Sequence, residues 1–209
     1  FVFMNTKERI IATAIDLFNL HGTKAISTNH IAREMGISPG NLYYHFRSKN
    51  DIIRSISDNF SNELGSVFNI QLDTIPDFSS NLTTLFNRFF KIQQSYQFLF
   101  LEGVHLTKQD SRVLDNYTKL RRLINKGYHD LLSNLVKIKI MKRQSLNIID
   151  DLLDAQWIIM WYWINHTILD RNTYDDSQIK KGIKLSFSII KPQLTSIGKV
   201  AFDRTLQTL

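Results

Sequence analysis

The 209-residue sequence contains no cysteine. That excludes disulfide frameworks, thiolate metal sites and thiol nucleophiles, and it suits a reducing compartment. Glycine and proline are scarce, at eight and three residues. An all-β fold needs turn residues every ~8–12 positions, so this composition points to helices. Long apolar runs are also missing. The longest, Trp157–Ile164, has eight residues, against the ~20 that a membrane-spanning helix requires. Phe1–Phe3 is apolar, but neither a basic segment nor a cleavage site accompanies it, so it does not read as a secretory leader. Met4 is a candidate start. No HExxH, GxSxG, P-loop or Ser/His/Asp pattern occurs, so neither an enzyme nor a cofactor or metal is expected. These absences lead to the expectation of a soluble, cytoplasmic, helical protein.

What is present begins with charge. The net charge is +7 and the pI about 9.6, which favours an anionic partner. The excess is not concentrated at the N-terminus. Residues 1–60 hold seven Lys/Arg against five Asp/Glu (+2), and residues 61–209 hold nineteen against fourteen (+5). Bulk charge alone therefore gives no reason to place an anion-binding surface near the start.

The motifs do. Asn5-Thr6-Lys7-Glu8 reads as a capping box that opens a helix with Ile10, Ala14, Leu17 and Phe18 at helical spacing, closed by His21-Gly22. Ser27 can cap a second helix that buries Ile31, Ala32 and Met35, turns Asn29, Arg33 and Glu34 outward, and ends at Gly36. Ile37 plugs the turn, and Ser38 caps a short third helix with Asn41 at its third position. Helix, glycine-centred turn and short helix have helix-turn-helix spacing. Leu42 and Phe46, four residues apart, can face inward together. Gly40, Asn41, Tyr43, Tyr44 and His45 are then left on or beside the outward face. Such a set suits a helix end entering a major groove: Gly40 admits close backbone approach, Asn41 can reach a base edge, and tyrosines offer a hydroxyl to phosphate and a ring to a thymine methyl. Ser48 caps a fourth helix with Asp51 at its third position, and Lys49 stands at that helix N-terminus, where a phosphate is favoured.

The combined pattern Ile31-Ala32-x-x-Met35-Gly36-Ile37-Ser38-x-Gly40-x-Leu42-Tyr43-x-His45-Phe46-x-Ser48-Lys49-x-x-Ile52 resembles the TetR-type bacterial transcription regulators, over roughly residues 6–55. Met35 stands where many members have alanine or leucine. The resemblance implies an all-α homodimer with an N-terminal three-helix helix-turn-helix domain (1–55) and a C-terminal helical effector-binding and dimerisation domain (56–209). It further implies a ligand-responsive repressor of a palindromic double-stranded DNA operator, with no membrane partner, in which the fourth helix acts as a lever between domains. Carried over by position, Ser27, Tyr44 and Lys49 would contact phosphates, while Thr28, Asn29, Pro39, Gly40, Asn41, Tyr43 and His45 would lie at or near the bases.

Beyond Ile53 the fourth helix continues through Ile56 and Phe60, and Asp73–Ser80, with Pro76, reads as a boundary. An aromatic-rich helix follows (Leu82, Leu85, Phe86, Phe89, Phe90). A pocket for a small apolar or amphipathic effector is expected in this half, with Phe86, Phe89, Phe90, Phe100, His105, Trp157, Trp161 and His166 as the candidate region. Eight positive residues spread over 119–143 read as a solvated helix face. From Ile149 to Ile168 the apolar residues occupy more than one face, so that helix must be buried on two sides. The next helix carries Ile179, Ile183, Phe187 and Ile190 in one stripe. With Trp163 these four residues are the expected two-fold dimer interface, and Pro192 should end or kink the helix. Asp150-Asp151-Leu152-Leu153-Asp154 spells the DDxxD by which all-α isoprenoid synthases hold magnesium diphosphate, an alternative enzyme reading. Acidic residues are also favoured in any first helical turn by the macrodipole.

Overall fold

The computed structural model describes residues 4–68, 75–171 and 174–207, and only the backbone at 75–83, 171 and 204–207. Phe1–Phe3 and the first two residues of the expected boundary, Asp73 and Thr74, lie outside the described residues, as does the side chain of Leu82. Eleven α-helices are described: α1 Thr6–Ala25, α2 Thr28–Glu34, α3 Pro39–His45, α4 Lys49–Val67, α5 Ile75–Ser95, α6 Gln97–Leu101, α7 Gly103–Gln109, α8 Ser111–Lys137, α9 Ile149–Arg171, α10 Asp176–Ile190 and α11 Ser196–Gln207. Among the described residues the only extended pairing is an isolated bridge between Met141 and Leu194. The all-α expectation holds. Pro76 is the second residue of α5, where its missing N–H costs nothing.

The chain packs as two compact units that do not follow the 55/56 division: residues 1–63 with 95–119, and residues 64–94 with 120–209. The chain crosses between them three times, within α4, at the last residue of α5 and within α8.

The caps expected from sequence form in the first unit. Asn5 Oδ1 accepts from the Glu8 N–H (3.0 Å), and Glu8 accepts from the Asn5 N–H (2.9 Å). Gly22, at φ 76° and ψ 157°, interrupts α1 in a conformation open only to glycine. Gly36 (φ 66°) ends α2; its N–H donates to the Arg33 carbonyl (3.1 Å), and the Ile37 N–H reaches the Ala32 carbonyl (3.0 Å). This pair of bonds is a Schellman closure. Ile10, Ala14, Phe18, Ile31, Ala32, Leu42, Phe46, Ile52 and Ile56 form the apolar centre, while Met35 stays half-exposed.

This unit recruits α6, α7 and the start of α8. Asn19 on α1 donates to the Ser95 carbonyl (2.7 Å) and accepts from the Phe98 N–H (3.0 Å). The Glu102 carboxylate accepts from both the N–H (2.9 Å) and the hydroxyl of Thr23. On α4, Arg54 pairs with Asp110 (2.8 Å), and Asp58 accepts from Arg112 (2.6 Å) and Asn116 (2.7 Å). Sequence periodicity cannot show such pairings, because the partners lie more than fifty residues apart.

In the second unit Phe187 of α10 lies between Phe86 (4.9 Å) and Phe202 (4.6 Å). Trp163 of α9 donates its indole N–H to the Gln178 carbonyl (2.8 Å). A Cβ at Gly182 would come within 2.6 Å of the same ring, so glycine is the notch that lets α9 and α10 approach. α10 stops at Ile190, before Pro192, as expected. The final helix, α11, is not apparent from the sequence; its Phe202 is fully buried.

Candidate nucleic-acid interface and effector cavity

Short polar residues set up the surface formed by α2 and α3. Ser27 Oγ accepts from the His30 N–H (3.3 Å), and Ser38 Oγ accepts from the Asn41 N–H (3.1 Å). Each cap fixes the start of a helix and satisfies an otherwise orphaned donor. Leu42 is fully buried and Phe46 nearly so, which anchors α3 from inside. Its other face is then presented to solvent: Pro39, Gly40, Asn41, Tyr43 and Tyr44 are exposed, Tyr44 to 86%. Ser27 and Asn29 are exposed as well, and Thr28 and His45 are half-exposed. Thr28 Oγ1 and the Tyr43 hydroxyl lie 3.0 Å apart, which ties the first turn of α2 to α3. The Tyr44 and His45 rings meet edge-on at 5.1 Å.

A Cβ at Gly40 would meet nothing of this chain closer than Ser38 Oγ at 3.9 Å. No internal packing forces glycine at this site.

Lys49 behaves differently from the phosphate ligand expected. Its ammonium donates to the Thr23 carbonyl (2.6 Å) and the Ile26 carbonyl (2.9 Å), at the end of α1. Two of its three N–H donors are thereby occupied, and the side chain clamps the start of α4 to the segment leading into α2. Arg47, exposed in the turn between α3 and α4, is a cation that the sequence reading passed over. Its only sequence signal is its place one residue before the Ser48 cap.

In the second unit a small, partly open cavity lies among α5, α8, α9 and Phe68, the residue that follows α4. Phe68, Phe89, Trp157 and Trp161 supply aromatic walls; Ile124, Leu153 and Met160 complete the apolar lining, and Asn125, Tyr128 and Gln156 are polar. The rings of Trp157 and Trp161 stack at 4.6 Å and 13°. Of the region named from sequence, only Phe89, Trp157 and Trp161 line this cavity. Phe86 and Phe90 are core residues of the same unit. Phe100 packs on Phe60 in the first unit (5.5 Å), His105 is exposed there, and His166 sits at the surface beside Trp163. Helical spacing identified these aromatics but could not separate a wall from a core.

The expected dimer residues need a larger correction. Ile183 and Phe187 are 0% exposed in the single chain, and Trp163, Ile179 and Ile190 are also buried. Phe187 packs on Phe86 and Phe202, and Trp163 packs on Gly182, all within one chain, so these side chains are core residues of the single chain and offer little surface to a partner. A different stripe on α9 is exposed, formed by Ile158, Tyr162 and Leu169 (88%), with Leu185 on α10. The DDxxD residues also face solvent: Asp150 and Asp151 open α9, and Asp154 pairs with Arg121 (3.3 Å). Among the described residues no group of acidic or histidine side chains is arranged to hold a metal ion, and the synthase alternative has no support.

Comparison with known proteins agrees with this geometry. Residues 10–56 match the family model described as bacterial regulatory proteins, tetR family, and residues 59–202 match that of a bacterial transcriptional repressor, TetR. HTH-type transcriptional regulator SAB2452 of Staphylococcus aureus (strain bovine RF122 / ET3-1) is 30% identical, over 56% of this chain and 74% of its own. A solved TetR-family transcriptional regulator from Marinobacter aquaeolei VT8 superposes with a TM-score of 0.85 at 25% identity over 98% of each chain. Mycobacterium smegmatis AmtR shares the fold at a TM-score of 0.65 and 16% identity, covering 99% of this chain and 97% of its own. With both family models matched in order along one chain, this protein belongs to the TetR family of bacterial DNA-binding transcription regulators.

Proposed function

We propose that the protein is a ligand-responsive repressor that binds a palindromic operator in the cytoplasm as a homodimer. The observation that carries this reading is the α2–α3 face, where Gly40 is unconstrained by the chain's own packing while Asn41, Tyr43 and Tyr44 are exposed around it. Gly40, Asn41, Pro39, Tyr43 and His45 would lie at the bases with Thr28 and Asn29 beside them. Ser27, Tyr44 and Arg47 would meet phosphates, and Lys49 would hold the reading unit in position. Two such units in successive major grooves would stand ~34 Å apart or somewhat more. All these residues fall within 1–55, and the cavity lies within 56–209, which supports the functional division even though packing groups the helices otherwise.

The dimer face is the stripe Ile158, Tyr162 and Leu169 with Leu185, an exposed apolar surface of the kind that marks an interface. A protein of the same fold, SmeT, has been solved as a complex with triclosan, which supports a small-molecule effector; the cavity of the C-terminal half is its site here. Here α8 would carry the signal. Ile124, Asn125 and Tyr128 line the cavity from the middle of this helix, and Arg112 and Asn116 hold α4 through Asp58 near its start. A tenfold loss of operator affinity needs only ~1.4 kcal/mol of differential ligand binding between two states. The test is selection of genomic DNA fragments on the protein, then titration of the recovered site and random DNA against Asn41→Ala and Tyr43→Ala. Both variants should weaken the selected site more than random DNA. Equal losses on the two DNAs would refute the base-reading assignment.

A further inference from the structure

The cavity in the second unit has an unusual polar inventory. Tyr128 is buried, and its hydroxyl has no hydrogen-bond partner. Gln156 is buried too; its Nε2 donates to the Ser186 carbonyl (2.6 Å), and its Oε1 is unpartnered. The carbonyl partner fixes the amide's orientation, because a flipped group would set oxygen against oxygen. The cavity's buried, unpartnered groups are thus one acceptor and one hydroxyl that can donate or accept, and half-exposed Asn125 adds an amide to the lining. Buried polar atoms are nearly always satisfied by protein or water, so the two unpartnered atoms on the wall of one cavity are open to a partner from outside the chain; a third, Ser186 Oγ, is also unpartnered but does not line the space. Among the described residues no charged side chain lines the space. Arg121 lies over the Trp157 ring at 5.2 Å, but it is paired with Asp154. Burial holds the Tyr128 hydroxyl well above the ordinary tyrosine pKa, and therefore neutral. A charged guest would leave water with no counter-ion to meet it. The stacked Trp157–Trp161 pair and Phe89 suit a flat ring system.

We propose that the cavity receives an uncharged, flat aromatic molecule bearing a hydroxyl or N–H that donates to Gln156 Oε1 and engages the Tyr128 hydroxyl. The proposal rests on the reading of the C-terminal half as effector-binding, and it adds the chemical class and the two recognition atoms.

The test uses the full-length chain and three probes of one ring skeleton: naphthalene, 2-naphthol and 2-naphthalenesulfonate. Quenching of the fluorescence of Trp157 and Trp161 reports binding. 2-Naphthol should bind tighter than either other probe, by about three- to tenfold for each hydrogen bond gained. Tyr128→Phe should remove part of that advantage without lowering stability, because the hydroxyl it deletes has no protein partner. Gln156→Met should act in the same direction, and Tyr128→Phe keeps the test decisive if loss of the Ser186 bond unfolds it. Equal affinities for naphthalene and 2-naphthol, tightest binding of the sulfonate, or binding of none of the three would overturn the proposal. Release of the selected operator is scored separately. Selective 2-naphthol binding with undisturbed DNA affinity would uphold the site chemistry and sink the gating; release by the sulfonate alone would do the reverse.

Discussion

Replacing Lys49 separates two roles that a residue at this position can have. Its ammonium sits 2.6 Å and 2.9 Å from two carbonyls at the end of α1. Hydrogen bonds to a charged group contribute about 1.5–3 kcal/mol each, and more when the partner would be left unsatisfied in the interior. Lys49 is half-exposed, so water can reach part of the site, and the lower end of that range applies. Lys49→Met, which removes both bonds, should then destabilise the protein by about 3 kcal/mol, or roughly 6–12 °C in Tm for a chain of this length. The assay is urea unfolding followed by far-UV circular dichroism. The salt dependence of binding to random DNA gives the second readout. Removing a side chain that neutralises one phosphate would lower the slope of log K against log salt by ~0.9, whereas removing a clamp should leave it nearly unchanged wherever the variant is folded. Unaltered unfolding together with a slope reduced by about one would refute the clamp and restore Lys49 as a phosphate ligand.

Gly40→Ala should leave the fold intact and stability equal or slightly higher, since a Cβ there meets open space and alanine is the better helix former; operator affinity measured by gel shift should fall several-fold. Ile158→Glu combined with Leu185→Glu should give folded monomers by sedimentation, and persistence of a dimer would remove that stripe from the interface. Phe187→Glu should instead unfold the second unit, because its ring lies between Phe86 and Phe202. In alkali the Tyr96 hydroxyl is pushed up to about 12, first by burial and then by the charge and hydrogen bond of Glu63. The folded state therefore holds this proton more tightly than the unfolded chain, so its contribution to stability is complete below pH ~10 and is lost as pH rises toward 12. Tyr96→Phe should flatten the stability–pH profile over that window.

The helix-turn-helix was legible because its determinants are local. Asn5 with Glu8, Ser27 with His30, Ser38 with Asn41 and Ser48 with Asp51 are all pairs three residues apart, and the geometry of one helical turn brings them together in any fold. Leu42 and Phe46 were placed inward by the same periodicity. The placement of Lys49 was not legible, because its partners are the main-chain carbonyls of Thr23 and Ile26, in another part of the sequence. The burial of the expected dimer residues was hidden for a related reason. α9 is apolar on nearly every face, so periodicity supplies no phase to say which stripe meets α10 and which is left outside.

By itself, then, the sequence determined the family, the helical class and the exposed reading face, because each depends on contacts within a few residues. Tertiary structure alone decided the rest. It showed that Gly182 admits Trp163 between two helices, which turns the expected interface inward. It grouped residues 95–119 with the N-terminal helices through Asn19, Thr23 and Arg54. It also brought Tyr128 and Gln156, twenty-eight positions apart in sequence, to the wall of one cavity with their polar atoms unpartnered. Burial and satisfaction are properties of a residue's whole surroundings, and those surroundings come from segments that meet only when the chain has folded.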